Sequence, residues 1–203
     1  MSQATPRIIP IQSASPMAES ETPEPTLSPA EEWSKDRIAL DQFSREKNWP
    51  EVLKILRRLS VKHKNAEIYK ALAQRIWVGL KTEAPAIEVV ESLFHLLNTL
   101  GPRHELSPAI CALAHLLVKH RSPDHEDRDL AIGQSQQMFA LVCDAYKVIG
   151  DEAFAIWVKA LRLDDPNHYL PMIFKGLEMM VGDTWWIDKE GLQEELEQAQ
   201  RAA

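Results

Sequence analysis

The chain has 203 residues, of which 45% are apolar and 26% charged, and it carries a formal net charge of −7. This size fits one domain, or one domain with a tail, and supplies enough apolar side chains to close a core. A chain with this charge gains nothing from counterion release on a phosphate backbone, so we do not expect nucleic acid as a partner. No stretch approaches the ~18 consecutive apolar residues that a membrane helix needs.

The chain has two cysteines, Cys111 and Cys143, which are too few for a disulfide framework. Both lie in apolar helical runs, where a free cysteine behaves as a small buried hydrophobic residue. We therefore expect a reducing compartment and a cytoplasmic location.

The first 29 residues differ in composition from the rest of the chain. They hold six of the thirteen prolines, and serine, threonine and glutamate fill most of the remaining positions. Proline blocks helix formation, and such a segment has too little apolar surface to offset the entropy of ordering. Residues 1–29 are therefore predicted to form a disordered arm. Its short apolar patch, Ile8-Ile9-Pro10-Ile11, is either a docking peptide for a partner or part of an inert tail.

An ordered domain is predicted to begin at Ser28-Pro29-Ala30-Glu31. A serine N-cap, a proline in the first turn and a glutamate three residues after the cap form a capping box. A second helix start follows at Asn48, with Pro50 in its first turn. Because both segments carry apolar residues at helical spacing, residues 30–62 are predicted to form a helical hairpin.

Helical spacing of apolar residues continues through the rest of the chain. Thr82 precedes Pro85 as a capping residue, and Gly101-Pro102 ends the helix that follows. No segment alternates between apolar and polar residues, so no sheet is expected. The predicted helices cover about 66–80, 85–100, 107–118, 130–142, 153–163, 170–181 and, as a polar C-terminal helix, 190–201.

A short pattern recurs at a spacing of 41 residues. Ala71-Leu72-Ala73 returns as Ala112-Leu113-Ala114 and then as Ala153-Phe154-Ala155. Small residues on either side of a large one let a neighbouring helix approach closely, and a repeated unit that cannot bury its apolar face alone must stack on its neighbours. The spacing predicts hairpins at about 64–104, 105–145 and 146–186.

The predicted fold class is all-α, with no sheet. We expect a short right-handed stack of antiparallel helical hairpins, like an α-solenoid, over residues 30–187, followed by a polar cap at 188–203.

Two segments carry a resemblance to a known family. The sequence QFSREKNWPEVL at 42–53 looks like the turn between the two helices of a tetratricopeptide-type repeat, and ALAHLL at 112–117 with RDLA at 128–131 is similar to divergent repeats of this kind. The resemblance covers about 30–186 and implies binding of a protein or peptide on a concave surface. The 41-residue spacing exceeds the tetratricopeptide period of about 34 and lies nearer the HEAT range, so the repeat class stays open.

One row of positions is the candidate binding surface. Its members lie off the apolar stripes on the first helix of each hairpin and are related by the same 41-residue shift: Lys70, Gln74, Cys111, His115, Glu152 and Ile156. In a stack they would line a groove, and the alternative is an ordinary solvated face.

Two adjacent tryptophans, Trp185 and Trp186, add a second candidate binding surface. Adjacent indoles cannot both face one helix core, so one is predicted to pack on the last hairpin and the other to be a binding hot spot. The alternative is that both cover the end of the stack.

A metal site is the most specific hypothesis for a chemical function. Cys111 and His115 share one helix face, Cys143 lies on the next helix, and thiolate with imidazole suits zinc. No paired CxxC or HxxxH spacing accompanies them, and no glycine-rich phosphate loop or activated nucleophile is evident. We therefore predict no cofactor, no resident metal and no catalytic residue.

These observations favour a non-catalytic adaptor or scaffold that binds a protein or peptide on a helical-repeat surface. A dedicated assembly factor or chaperone for one client complex suits an acidic all-α chain equally well. A helical metal-binding regulatory subunit is the third alternative. Homo-oligomerisation is compatible with each of them.

Overall fold

The computed structural model describes residues 27–61, 67–121 and 127–202, which form nine α-helices and no strand. The all-α class is therefore confirmed for this part of the chain. Residues 1–26 of the predicted arm, with the patch at 8–11, lie outside the described residues. In chain order the helices are α1 (Pro29–Arg45), α2 (Trp49–Val61), α3 (Ile68–Lys81), α4 (Ala86–Leu100), α5 (Ser107–Arg121), α6 (Arg128–Tyr146), α7 (Asp151–Ala160), α8 (Pro166–Val181) and α9 (Lys189–Ala202).

The start of α1 follows its capping signal. The Ser28 hydroxyl oxygen accepts a hydrogen bond from the Glu31 backbone N–H at 3.3 Å, and the Glu31 carboxylate accepts one from the Ser28 N–H at 2.8 Å. The predicted capping box is therefore confirmed, and it satisfies backbone donors that a helix start leaves without partners.

The start of α4 differs from the prediction. Thr82 does not cap α4 but ends α3, where its hydroxyl donates to the Val78 carbonyl at 2.9 Å. Helix α4 begins at Ala86 after Pro85, and no side chain caps it. Threonine bonds carbonyls in the preceding turn as readily as it caps a following helix, so its position alone does not separate the two roles.

The first six helices pack mainly on their neighbours in sequence. Each contacts the next from α1 to α6, and α4 also contacts α6. The small-large-small triplets on α3 (Ala71-Leu72-Ala73) and α5 (Ala112-Leu113-Ala114) are buried, as the repeat pattern predicts. Their small residues allow the close helix approach that fills the core.

Helix α8 departs from this order because it packs across α3 and α5, far back along the chain. The third triplet, Ala153-Phe154-Ala155, lies on α7, and no residue of α7 is buried. The third copy of the pattern thus does not pack as the first two do, since α8 and not α7 covers α5. None of the helices in the described part of the chain has the length and apolarity required to span a bilayer.

The C-terminal segment returns to the N-terminal hairpin. The Asp188 backbone N–H donates to the Ser44 hydroxyl oxygen at 2.7 Å, and the Trp49 indole N–H donates to the Glu195 carboxylate at 3.3 Å. Leu192 of α9 is buried. The predicted polar C-terminal helix is therefore present, and it packs near the connection between α1 and α2.

Two arginines join α3 to other helices. Arg121, at the end of α5, donates to the Leu80 carbonyl at 2.7 Å and the Gly79 carbonyl at 2.9 Å, where α3 leaves carbonyls without intrahelical partners. Arg75 is buried on α3 and pairs with Glu91 of α4 at 3.0 Å. Buried cations of this kind are tolerated because hydrogen-bond partners replace the lost water.

Two helical glycines should respond oppositely to alanine. A Cβ at Gly79 would lie 2.9 Å from the Val89 side chain, whereas a Cβ at Gly133 would meet no atom within 4 Å. We expect Gly133→Ala to raise the free energy of unfolding by about 0.5–1 kcal/mol through helix propensity. We expect Gly79→Ala to lower it by about 1 kcal/mol, because overpacking outweighs the same propensity gain. Urea denaturation of both variants tests this, and a stabilised Gly79→Ala protein would show that α3 and α4 are less tightly packed.

Candidate functional site

The rings of the adjacent tryptophans, Trp185 and Trp186, contact side chains of α1 and α3. The Trp186 ring is buried, with the Arg37 guanidinium carbon 3.8 Å from its centroid and the Trp33 ring edge-on at 5.8 Å. The Trp185 ring meets Trp77 of α3 at 5.2 Å. We call these four tryptophans the tryptophan clasp. The segment after α8 thus crosses back over the first helices, and the burial of Trp186 means that this indole is not an exposed binding surface.

A buried hydrogen bond fixes this crossing. The Trp186 backbone N–H donates to the Gln74 side-chain oxygen at 2.7 Å, and Gln74 is fully buried on α3. The Gln74 amide group donates to the Lys70 carbonyl at 3.3 Å. Burial also lowers the pKa of the Arg37 guanidinium above the ring, and a partly desolvated cation strengthens its attraction to an indole face.

The crossing of α8 creates an apolar groove of about 590 Å³ between α8, the second half of α4 and the connection from α4 to α5. We call it the α8 groove. Its floor consists of side chains that are almost fully buried: Leu96, Ile110, Ile173 and Leu177. Its edges carry the exposed side chains of Met172 and Met179, and its polar rim includes His104, Glu105 and Lys175.

The α8 groove continues toward the start of α3. A neighbouring depression shares Leu100 and Met180 with the groove and is also lined by Tyr69 and Lys70. Lys70, one of the predicted binding residues, therefore lies at the end of this surface. Its ammonium group is also 5.9 Å from the centre of the Trp186 ring, which links the groove to the tryptophan clasp.

Gly176 allows α8 to approach Leu106, in the connection from α4 to α5, closely. A Cβ at this position would lie 2.7 Å from a methyl group of Leu106. A larger residue would push Leu106 toward the groove space, so glycine keeps this part of the groove open.

The predicted binding row does not form one open surface. Gln74 and Cys111 are fully buried, so a partner cannot contact them in this structure. The expectation that they lie off the core is wrong. Gln74 accepts the hydrogen bond from the Trp186 backbone of the crossing segment, and Cys111 lies near Cys143 of α6. His115, Glu152 and Ile156 are exposed, the last two on α7.

The metal candidates do not meet in a ligand set. Cys111 is buried, and burial raises the pKa of its thiol to about 12, while burial also raises the pKa of Cys143. His115 is exposed, with its ring 6.3 Å from that of Phe139. Among the residues the structure describes, no group of three histidine, cysteine, aspartate or glutamate side chains could hold a metal ion.

Sequence reasoning missed the methionines that edge the α8 groove. The sequence feature that could have revealed them is that α8 carries apolar residues on more than one side. Ile173 and Leu177, spaced by one helical turn, face the core, whereas Met172 and Met179 form a separate pair seven residues apart. A helix that is apolar beyond its core-facing stripe has a second surface to cover.

In comparisons with known proteins, no family model, no curated protein and no solved structure matches the chain significantly. The tetratricopeptide-type resemblance therefore gains no family match.

The reactivity of Cys111 tests whether its thiol is buried and protonated. Because the pKa of Cys111 is raised to about 12, almost none of it is the reactive thiolate at neutral pH. We expect the Cys143→Ser variant to react with a chromogenic disulfide reagent only as fast as the protein unfolds, and to release one equivalent once denaturant is added. Rapid reaction in native buffer would instead indicate an accessible, activated cysteine and would reopen the nucleophile and metal hypotheses.

Proposed function

We propose that the protein is a non-catalytic interaction module that binds an amphipathic helix of a protein partner in the α8 groove. The observation that carries this proposal is the exposure of methionines around an apolar floor: Met179 is 75% exposed and Met172 is 41% exposed. Apolar side chains at the edge of a concave surface lose contact with water only when a partner fills it.

Methionine suits the edges of such a groove. Its side chain is unbranched and polarisable, so it adapts to ligand side chains of different shape at small energetic cost. Three methionines, Met172, Met179 and Met180, line the same groove. Surfaces of this kind accept helices that vary in sequence as long as they present apolar anchors.

The length of the groove sets the size of the partner segment. The part of α8 from Met172 to Met180 spans about 12 Å at 1.5 Å per residue. Apolar anchors at positions i, i+4 and i+7 of a ligand helix span about 10 Å, so three anchors fit along this wall. Lys175 on α8 and Lys70 at the far end could pair with acidic groups of the ligand and fix its direction.

The proposed repeat character of the fold agrees with this function. We propose that α1 to α6 are a short stack of helical hairpins, supported by the buried triplets on α3 and α5 and by the contact of α4 with α6. Helix α8 then covers the face that a stack of this kind would offer to a ligand. The proposed binding surface is therefore not that covered face but the groove between α8, α4 and the connection from α4 to α5.

A display library of amphipathic helices tests the proposal directly. We expect enriched peptides to carry apolar residues at i, i+4 and i+7, and to bind Met179→Glu at least about tenfold more weakly, which corresponds to ~1.4 kcal/mol. Met179 is highly exposed, so this substitution leaves the fold intact. The matched control is Ile38→Glu on α1, which is 72% exposed and lies outside the groove.

Failure takes two forms. A library that yields no binder, or binders that Met179→Glu does not weaken, would contradict the proposed groove. The selected sequences also separate the two interaction hypotheses: many unrelated helices would fit an adaptor, whereas one narrow consensus would fit a dedicated assembly factor.

A further inference from the structure

Helix α7 is apolar but only weakly buried, since Trp157 and Val158 pack against the core while staying partly exposed. No residue of Asp151–Ala160 is buried. Its inner side meets α6 through aromatic rings, with Phe154 5.7 Å from Phe139 and Trp157 6.0 Å from Tyr146. A helix of ten residues is only marginally stable in water without tertiary packing. Contacts on its outer side would therefore add to its stability.

The outer side of α7 carries a short ordered set of residues. At 100° per residue, Glu152, Ile156 and Lys159 fall on one face, opposite Phe154. All three are exposed, and Ile156 is 63% exposed. Ile149, two residues before the helix, is 82% exposed. Read from N- to C-terminus, the face presents an acid, an apolar residue and a base.

This order is self-complementary. A two-fold axis through the face near Ile156 places two copies of α7 antiparallel, since Glu152 and Lys159 lie at nearly equal distances on either side of it. Glu152 then meets Lys159 of the partner subunit, and the reciprocal pair forms at the same time. An isologous interface requires this correspondence, in which each contact occurs twice.

We propose that the chain forms a homodimer through antiparallel pairing of α7, centred on Ile156 and oriented by two Glu152–Lys159 ion pairs. This inference is independent of the proposed function, because it uses α7 and none of the residues that line the α8 groove. A stable dimer buries roughly 800 Å² on each partner, which is more than a helix of three turns supplies. The dimer is therefore weak and depends on concentration.

Sedimentation velocity on the full chain, over about a hundredfold range of concentration, measures the dissociation constant. We expect Glu152→Lys and Lys159→Glu each to weaken dimerisation by at least about tenfold, because each places like charges opposite one another. The double variant, Glu152→Lys with Lys159→Glu, should restore dimerisation, since the reciprocal pairs form again with their signs exchanged. The matched control for Glu152→Lys is Asp183→Lys, which makes the same change in net charge at an exposed position after α8.

Three results would overturn the proposal. The wild-type chain could remain monomeric at every concentration, either single variant could dimerise as tightly as the wild type, or the double variant could fail to recover. A monomer whose binding to some other protein is lost in Glu152→Lys would instead identify this face as a surface for a different partner. The circular dichroism spectrum and the urea midpoint of each variant check that the overall fold is retained.

Discussion

The fold depends on one buried hydrogen bond between the Trp186 backbone N–H and the Gln74 side chain. A loop N–H has no helical partner of its own, and burying it without an acceptor costs about 1–3 kcal/mol. Gln74 supplies the acceptor at 2.7 Å from within α3, where it is itself fully buried. Because Trp186 follows α8 by only a few residues, this bond and the tryptophan clasp hold the end of α8 over the first helices.

The position of α8 decides which surfaces the molecule offers. It covers α3 and α5, the two helices whose small-large-small triplets are buried in the core. Gln74 and Cys111 are both fully buried, so a ligand cannot reach them, although both lie on helices that would line the open face of a hairpin stack. The same crossing builds a new concave surface, because residues of α8, α4, the start of α5 and the connection at 101–106 together line an apolar groove.

The sequence was sufficient for the helices but not for their arrangement. Caps such as Ser28 with Glu31, and stops such as Gly101, act over a few residues, so local patterns identify them. The buried triplets on α3 and α5 also follow from spacing and residue size.

Gln74 was misread because a polar residue on a helix is usually exposed, and only a distant backbone N–H reveals why it is buried. The exposure of α7 could not be predicted from the sequence either. Its apolar composition predicts burial, but α8 occupies the surface of α5 that the repeat pattern assigns to α7. The α8 groove was missed because its floor and edges combine residues of α4, α5 and their connection with residues of α8, which lies far along the chain and meets them only through that crossing.

Native-state hydrogen exchange at the Trp186 amide tests the central claim most directly. This amide lies in a connection outside any helix, where exchange is ordinarily fast. If its bond to Gln74 holds α8 in place, we expect the Trp186 amide to exchange only by global unfolding, with a free energy of opening equal to that of the core amides of α3. Exchange within seconds, as for an unprotected loop amide, would contradict the claim, because it would mean that the C-terminal segment is not fixed over α3 and that the α8 groove is not a permanent feature of the fold.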